Sequence, residues 1–266
     1  MTFKKIKVVY FKNNLSTYIS NWRIWNGQLT KQPFVPIPQV VVSFSNNTHD
    51  LSVMLSYLDT KLTILEQMPP LKNQQFDFLT YGESISFLNV CYILISLLFD
   101  DVSGIIQYFY NENEPNSGVT ENFSKLLEIL KKKKLPDDLS KLLVKTIKQF
   151  PAMRGRRNDL IHHYEALLIS LDKNQEGKTI IGHFGTMQHP TKEYGDIRQY
   201  FGSVLCEYQT LVDNLLDHFD TKFIEWYHFK PPRDFNILQG YIGIMLWWAN
   251  KYGNYTHKDL VIEENV

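Results

Sequence analysis

The chain has 266 residues, of which 44% are hydrophobic and 14% aromatic, with 28 basic and 28 acidic side chains. This apolar content excludes a chain that is disordered throughout, and it suffices for a core without disulfides or metals. Because the formal net charge is zero, a nucleic-acid partner would have to bind a local basic patch rather than follow a global field.

Residues 1–48 differ in pattern from the rest of the chain. Pro33 and the stretch "FVPIPQVVVSF" that follows it, with two more prolines and a β-branched run, favour extended chain or a strand over helix. The apolar run at the start of the chain is too short for a secretory signal. We therefore expect a mixed N-terminal extension over 1–48, a helical domain over 49–230, and a C-terminal helix and tail over 231–266.

Helical periodicity dominates from residue 49 onward. The first helix has one apolar face, formed by Leu51, Met54, Leu55, Leu58, Leu62 and Leu65. Further helices are expected over about 80–111, 119–133, 159–172, 196–228 and 237–253, and one more starts at Pro136. A loop after residue 172 contains a short strand at "TIIGHF". These elements predict an all-α bundle in which two long helices flank shorter ones.

The uncharged stretch 85–99 is shorter than the roughly 20 residues of a membrane-spanning helix, so we expect a core helix. Cys91 and Cys206 lie within apolar helical patterns, which favours reduced thiols. These features predict a cytoplasmic protein with no membrane segment.

The stretch "RGRRNDLIHHYEALL", residues 154–168, carries the densest set of reactive side chains. Asn158 is a favoured N-cap residue, and with it as cap Arg157 would lie just outside the helix. His162 falls nearly opposite the apolar face of that helix, and Glu165 is within reach of it. His163 lies on the flank, where it is either a histidine satisfied within the core or, with Arg154 and Arg156, a residue that assists RNA binding.

An arginine and an outward histidine at a helix N-terminus suit a phosphate. The free N–H groups and the guanidinium attract the anion, and an imidazole transfers protons near neutral pH. These are the groups that metal-free cleavage of RNA requires. The spacing alone is not specific, because charged helix starts are common.

"RNDLIHHY" resembles the signature of HEPN domains, with Arg157, Asn158 and His162 in the matching places. The match extends to Tyr164, as in HEPN toxins that pair with nucleotidyltransferase antitoxins. The expected helical order over about 50–230 is also similar. The resemblance implies two long antiparallel helices and a metal-independent endoribonuclease that leaves a 2′,3′-cyclic phosphate. Family members act in toxin–antitoxin systems, phage defence and RNA processing.

The resemblance also implies a homodimer with RNA as substrate and no metal or cofactor. Two copies of His162 would share the base and acid roles, two copies of Arg157 would hold the phosphate, and Asn158 would orient the site. The chain is about twice as long as the minimal toxins, which puts a nucleotidyltransferase partner in doubt. Tyr164 is either a modification site or, on its apolar stripe, a core residue.

Neighbouring residues have two interpretations each. Arg154 and Arg156 either assist RNA binding or are simply solvated, and "KKKK" at 131–134 either contacts the RNA backbone or ends a helix. Asp100 or Asp101 would orient the site, or would be a charge on a helix surface. The alternative function is a non-catalytic HEPN-like module that binds RNA or a protein partner.

Overall fold

Helices dominate the computed structural model, as the apolar periodicity predicts. The structure describes residues 5–11, 15, 17–22, 39–67, 78–114, 117–120, 122–148, 150–162, 167–173, 175, 179–184, 196–231, 233 and 241–265. In chain order the elements are β1 (Lys5–Tyr10), α1 (Gln39–Gln67), α2 (Phe78–Asn113), α3 (Phe123–Lys131), α4 (Asp137–Thr146), α5 (Phe150–His162), β2 (Leu168–Lys173), β3 (Thr179–Phe184), α6 (Ile197–Tyr227), α7 (Tyr241–Gly253) and β4 (Val261–Asn265).

Helix α1 begins ten residues earlier than the expected domain boundary. Val41 and Phe44 are buried and continue the spacing of three and four residues that leads to Leu51 and Leu55. The extended conformation predicted for residues 39–48 is therefore wrong. One continuous buried stripe outweighs the weak helix propensity of three consecutive valines.

Helices α1 and α2 form an antiparallel pair. Tyr57 in the second half of α1 stacks on Phe87 near the start of α2, at 5.3 Å between ring centroids. Ser43, near the start of α1, donates a hydrogen bond to Asp101, which lies further along α2. The residue numbers of the contacts rise along one helix while they fall along the other, so the two helices are antiparallel. Asp101 also accepts a hydrogen bond from Asn47 at 2.6 Å, so polar contacts fix the pairing register.

The two long helices predicted from sequence, α2 and α6, run parallel instead. Ring pairs join Tyr92 to Phe201, Phe99 to Tyr208 and Phe109 to Phe219. The residue numbers of the paired rings increase together along both helices. The expected antiparallel arrangement of this pair is therefore wrong. Helix α1 runs opposite to both.

A buried ion pair joins α1 to α6. Asp59, in the second half of α1, pairs with Arg198 at the start of α6 at 2.8 Å, and both side chains are almost fully buried. The contact brings a late position of α1 to an early position of α6, which agrees with their opposite directions.

The flanks of the chain meet each other. Strand β1 pairs antiparallel with β4, from Lys5 opposite Asn265 onward. The segments expected as a separate extension and tail thus share one small sheet. Strand β3 confirms the predicted "TIIGHF" strand, and it pairs with β2. Because β2 occupies 168–173, the helix expected over 159–172 is wrong in its second half.

Helix α2 is the most apolar long helix of the described chain. By length and composition its stretch Phe78–Asn111 is apolar enough to cross a membrane, and 56% of the relevant window is buried inside the fold. Cys91, in this stretch, is fully buried, and the thiol of Cys206 on α6 is partly exposed.

Helices α6 and α7 approach each other closely at Gly202. A Cβ atom added there would lie 2.8 Å from the carbonyl oxygen of Trp248 and would also meet Tyr252. Glycine is therefore needed for the packing of α7, whose Trp247 and Trp248 are buried in the core.

We expect Gly202→Ala to lower the free energy of unfolding by about 1–3 kcal/mol, because the added methyl group overpacks the contact between α6 and α7. Gly82→Ala is the matched control, since a Cβ added at Gly82 in α2 meets nothing within 4 Å. It should be neutral or stabilise by up to about 1 kcal/mol. Denaturant unfolding measures both, and equal midpoints for the two variants would contradict the close approach.

Candidate functional site

The motif helix α5 is capped by a residue far away in the sequence. The carboxylate of Glu207, on α6, accepts hydrogen bonds from the backbone N–H groups of Lys148 at 2.9 Å and Phe150 at 3.3 Å. These N–H groups precede or open the first turn of α5, where they have no partner within the helix. A buried carboxylate at this end also complements the helix dipole.

Because α5 starts at Phe150, Asn158 lies in its interior and is not an N-cap. This prediction is wrong, as is the predicted interruption at "PAMRGR". The Asn–Asp signal is local, whereas Glu207 caps the helix through tertiary structure. Asn158 instead accepts a hydrogen bond from the Arg157 guanidinium at 3.3 Å.

Arg157 and His162 face different directions within one chain. Phe150, Met153, Arg157 and Leu160 recur at helical spacing on the side of α5 that packs on the core. His162 is five residues after Arg157, so the two side chains diverge by about 140° and are separated by about 7.5 Å along the axis. His162 is exposed and Arg157 is half-buried. The expected convergence at a helix mouth is therefore wrong for a single chain.

Asp100 is the described carboxylate beside the motif arginine. It accepts a hydrogen bond from the N–H of Phe123 at 3.0 Å, which fixes the start of α3. Burial raises the pKa of Asp100 above its ordinary 3.8, while the Phe123 hydrogen bond and the charges of Arg157 and Arg154 oppose this rise. The carboxylate thus joins α2 to α3, and it lies within electrostatic range of the arginines of α5.

Asp101, the other carboxylate considered as an orienting group, faces away. Its oxygens accept hydrogen bonds from Ser43 and Asn47 on α1. Burial also raises the pKa of Asp101. Of the two neighbouring aspartates, Asp100 is therefore the one on the side of the motif.

Several predicted residues lie beyond what the structure describes. His163, Tyr164 and Glu165 fall between α5 and β2 in an undescribed segment, and the side chain of Arg156 is also outside the description. Arg154 is exposed, and it lines a groove together with Phe150 at the start of α5.

That groove lies between α3 and α4 and has a volume of about 1010 Å³. Lys131 and Lys133, from the basic run 131–134, lie on its wall, and all four lysines of the run are exposed. Lys133 adopts a left-handed backbone conformation (φ 53°) in the turn after α3. The basic run is therefore more than a solvated helix end, because part of it borders a concave surface.

A second polar cluster was not predicted from the sequence. The Tyr110 hydroxyl lies 2.6 Å from Nε2 of the His218 imidazole, and Lys222 pairs with Asp138 at 3.1 Å. Burial lowers the pKa of His218. The cluster ties the start of α4 to α2 and α6. No local sequence pattern predicts this cluster, because its members come from three separate helices.

Comparisons with known proteins add no assignment. No family model, no curated protein and no solved structure matches the chain significantly. The HEPN resemblance therefore stays a prediction based on the motif. Among the described residues, no group of three or more His, Cys, Asp or Glu side chains could hold a metal ion.

We expect Asp100→Asn to gain stability relative to the wild type as the pH rises above 3.8, the ordinary pKa of the carboxyl. The folded wild type holds the Asp100 proton more tightly than the unfolded chain does. Its stability therefore falls as the pH rises through the raised pKa, and the variant lacks this loss.

Urea unfolding over a series of pH values measures the difference between the two proteins. The asparagine amide oxygen can still accept from Phe123, which limits disturbance of α3. Asp137→Asn, at an exposed position of α4, is the control for loss of a carboxylate. A difference for Asp100→Asn that stays constant with pH would contradict the inferred burial effect.

Proposed function

We propose that the protein is a metal-independent endoribonuclease of HEPN type that acts as a homodimer. The observation that carries the proposal is the Arg157–Asn158–His162 motif on α5, with the imidazole of His162 exposed to solvent. An exposed imidazole is accessible to an RNA substrate from the solvent. Toxin and phage-defence roles are the settings in which the resembling family acts.

In this mechanism His162 takes the proton from the RNA 2′-hydroxyl, and the resulting oxyanion attacks the adjacent phosphorus. The bond to the 5′-oxygen breaks, and that oxygen receives a proton from the second copy of His162. The products are a 2′,3′-cyclic phosphate and a free 5′-hydroxyl. Arg157 supplies positive charge to the crowded phosphate in the transition state.

The proposal needs a second copy because Arg157 and His162 diverge within one chain. A composite cleft combines the imidazoles of two chains and lets the arginine of either chain approach the phosphate. Gly155 lies about 20° from His162 around the helix, two turns earlier. A Cβ added at Gly155 meets nothing within 4 Å, so this face of α5 is open to another chain.

The second candidate function is a non-catalytic helical module that binds RNA or a protein. The position of Arg157 favours it. This side chain is half-buried on the core-facing side of α5. It donates a hydrogen bond to Asn158 and lies within electrostatic range of Asp100, and its Nε is buried without a described hydrogen-bond partner. An arginine in this position can contribute to core packing as readily as to phosphate binding.

We expect the wild-type protein to cleave RNA in the presence of EDTA, and His162→Ala to lower the rate by about 10²–10⁴-fold, as for the loss of an acid–base group. Gel analysis of an end-labelled RNA, with detection of the cyclic phosphate, measures this. His228→Asn is the control: His228 is exposed, and asparagine tolerates its left-handed backbone (φ 57°). RNA binding without cleavage by the wild type would favour the non-catalytic module.

We expect Gly155→Gln to weaken self-association and to reduce cleavage in parallel, because the longer side chain fills the open face beside His162. Gly82→Gln is the matched control, since its Cβ position is also unobstructed. Analytical ultracentrifugation gives the association state. Full activity in a Gly155→Gln variant that no longer self-associates would rule out the composite cleft.

A further inference from the structure

Helices α3 and α4 follow each other in the chain but pack on different partners. Among the described residues, α3 packs on α2 and α4 packs on α6, and the two short helices make no extensive contact with each other. The space between them is the groove of about 1010 Å³. Both walls are thus held apart by the core, and the groove exists without a ligand to open it.

We call the apolar part of the groove's lining its floor, and this part is mainly aliphatic. It includes Leu127 and Leu130 from α3, Val144 from α4 and Ile147 just after it. Val144 is 66% exposed, although it is a large hydrophobic side chain on a short helix. Leaving this surface in water has a cost, which a partner with apolar side chains would remove.

The rim of the groove is basic. Its lining has five basic and two acidic side chains: Lys131, Lys133, Lys141, Lys145 and Arg154 against Glu128 and Asp137. No ion pair joins any of these four lysines to a residue within the described part of the chain. Some cations elsewhere are paired, as Lys222 is with Asp138 and Arg233 with Asp220. In a chain of zero net charge, this local excess is complementary to an acidic partner.

We propose that this groove binds an amphipathic helix of another protein, with an apolar stripe on the floor and acidic side chains toward the lysines. A helix laid in a groove places anchors at i, i+3 or i+4 and i+7, and α4, with its ten residues, offers about 15 Å for them. That length matches two to three turns of a bound helix.

The floor favours a peptide over single-stranded RNA. Grooves that bind single strands combine positive charge with exposed aromatic side chains on which bases stack. Among the described lining residues the one aromatic side chain is Phe150, which is buried in the core. Aliphatic anchors fit the observed floor better, and this inference does not depend on ribonuclease activity.

The test uses the full chain and a displayed library of peptides about 14 residues long, randomised at the stripe and flanking positions of a helix. We expect selection to enrich peptides with a leucine-type stripe and flanking Glu or Asp. Synthetic copies, measured by fluorescence anisotropy, should bind at least about tenfold more weakly to Val144→Asp and to the double variant Lys141→Glu/Lys145→Glu.

Two variants are matched controls. Ile224→Asp introduces the same charge at another exposed aliphatic position, on α6, and Lys258→Glu reverses an exposed charge far from the groove in sequence. Both should bind the selected peptides as the wild type does. Thermal unfolding of each variant establishes that it is folded.

Either of two outcomes would overturn the proposal. One is that the library yields no peptide whose binding depends on Val144. The other concerns a labelled single-stranded RNA of about 12 nucleotides. If its binding requires the lysines, is unchanged by Val144→Asp, and does not displace the bound peptide, the peptide binds elsewhere and the groove is an RNA surface. Cleavage of RNA by the same preparation is measured separately, so failure of either proposal leaves the other testable.

Discussion

The carboxylate of Glu207 determines where the motif helix begins and therefore which way its side chains point. By accepting hydrogen bonds from the N–H groups of Lys148 and Phe150, it starts α5 eight residues before Asn158. With the start fixed, helical geometry turns Arg157 toward the core and His162 toward solvent. The separation of these two side chains is a consequence of the cap and the packing around it.

Asp100 adds a second constraint on the same helix. It holds the start of α3 through the N–H of Phe123 and lies within electrostatic reach of Arg157 and Arg154. The charge of the motif arginine thus acts on the carboxylate that joins α2 to α3. The proposed nuclease needs the open face of α5 and a second copy because Arg157 and His162 diverge within one chain.

The same packing leaves α3 and α4 apart. Each is anchored to a different long helix, and the partly buried Tyr110–His218 contact with the adjacent Asp138–Lys222 pair holds the start of α4 in place. A groove with an aliphatic floor and a basic rim results. Its charge is local, since the chain as a whole is neutral.

Sequence patterns were sufficient for the helical class, for the spans of α2 and α6, and for the start of α4 at Pro136. Each of these has a long apolar stripe or a strong local stop signal, which tertiary contacts reinforce. The strand at "TIIGHF" was also predicted. Patterns failed where a local signal competed with distant partners, as for β2, which pairs with β3, and for residues 39–48, which extend the stripe of α1.

The features of the candidate site also divide into those that the local sequence predicts and those that depend on tertiary contacts. The residues of the motif, the exposure of His162 and the basic run at 131–134 follow from sequence alone, because they depend on residue type and helical period. The directions of the long helices, the cap by Glu207, the choice of Asp100 over Asp101 and the groove depend on residues far apart in the chain. Only the tertiary structure decided these, because a contact over such a separation leaves no periodic pattern in the local sequence.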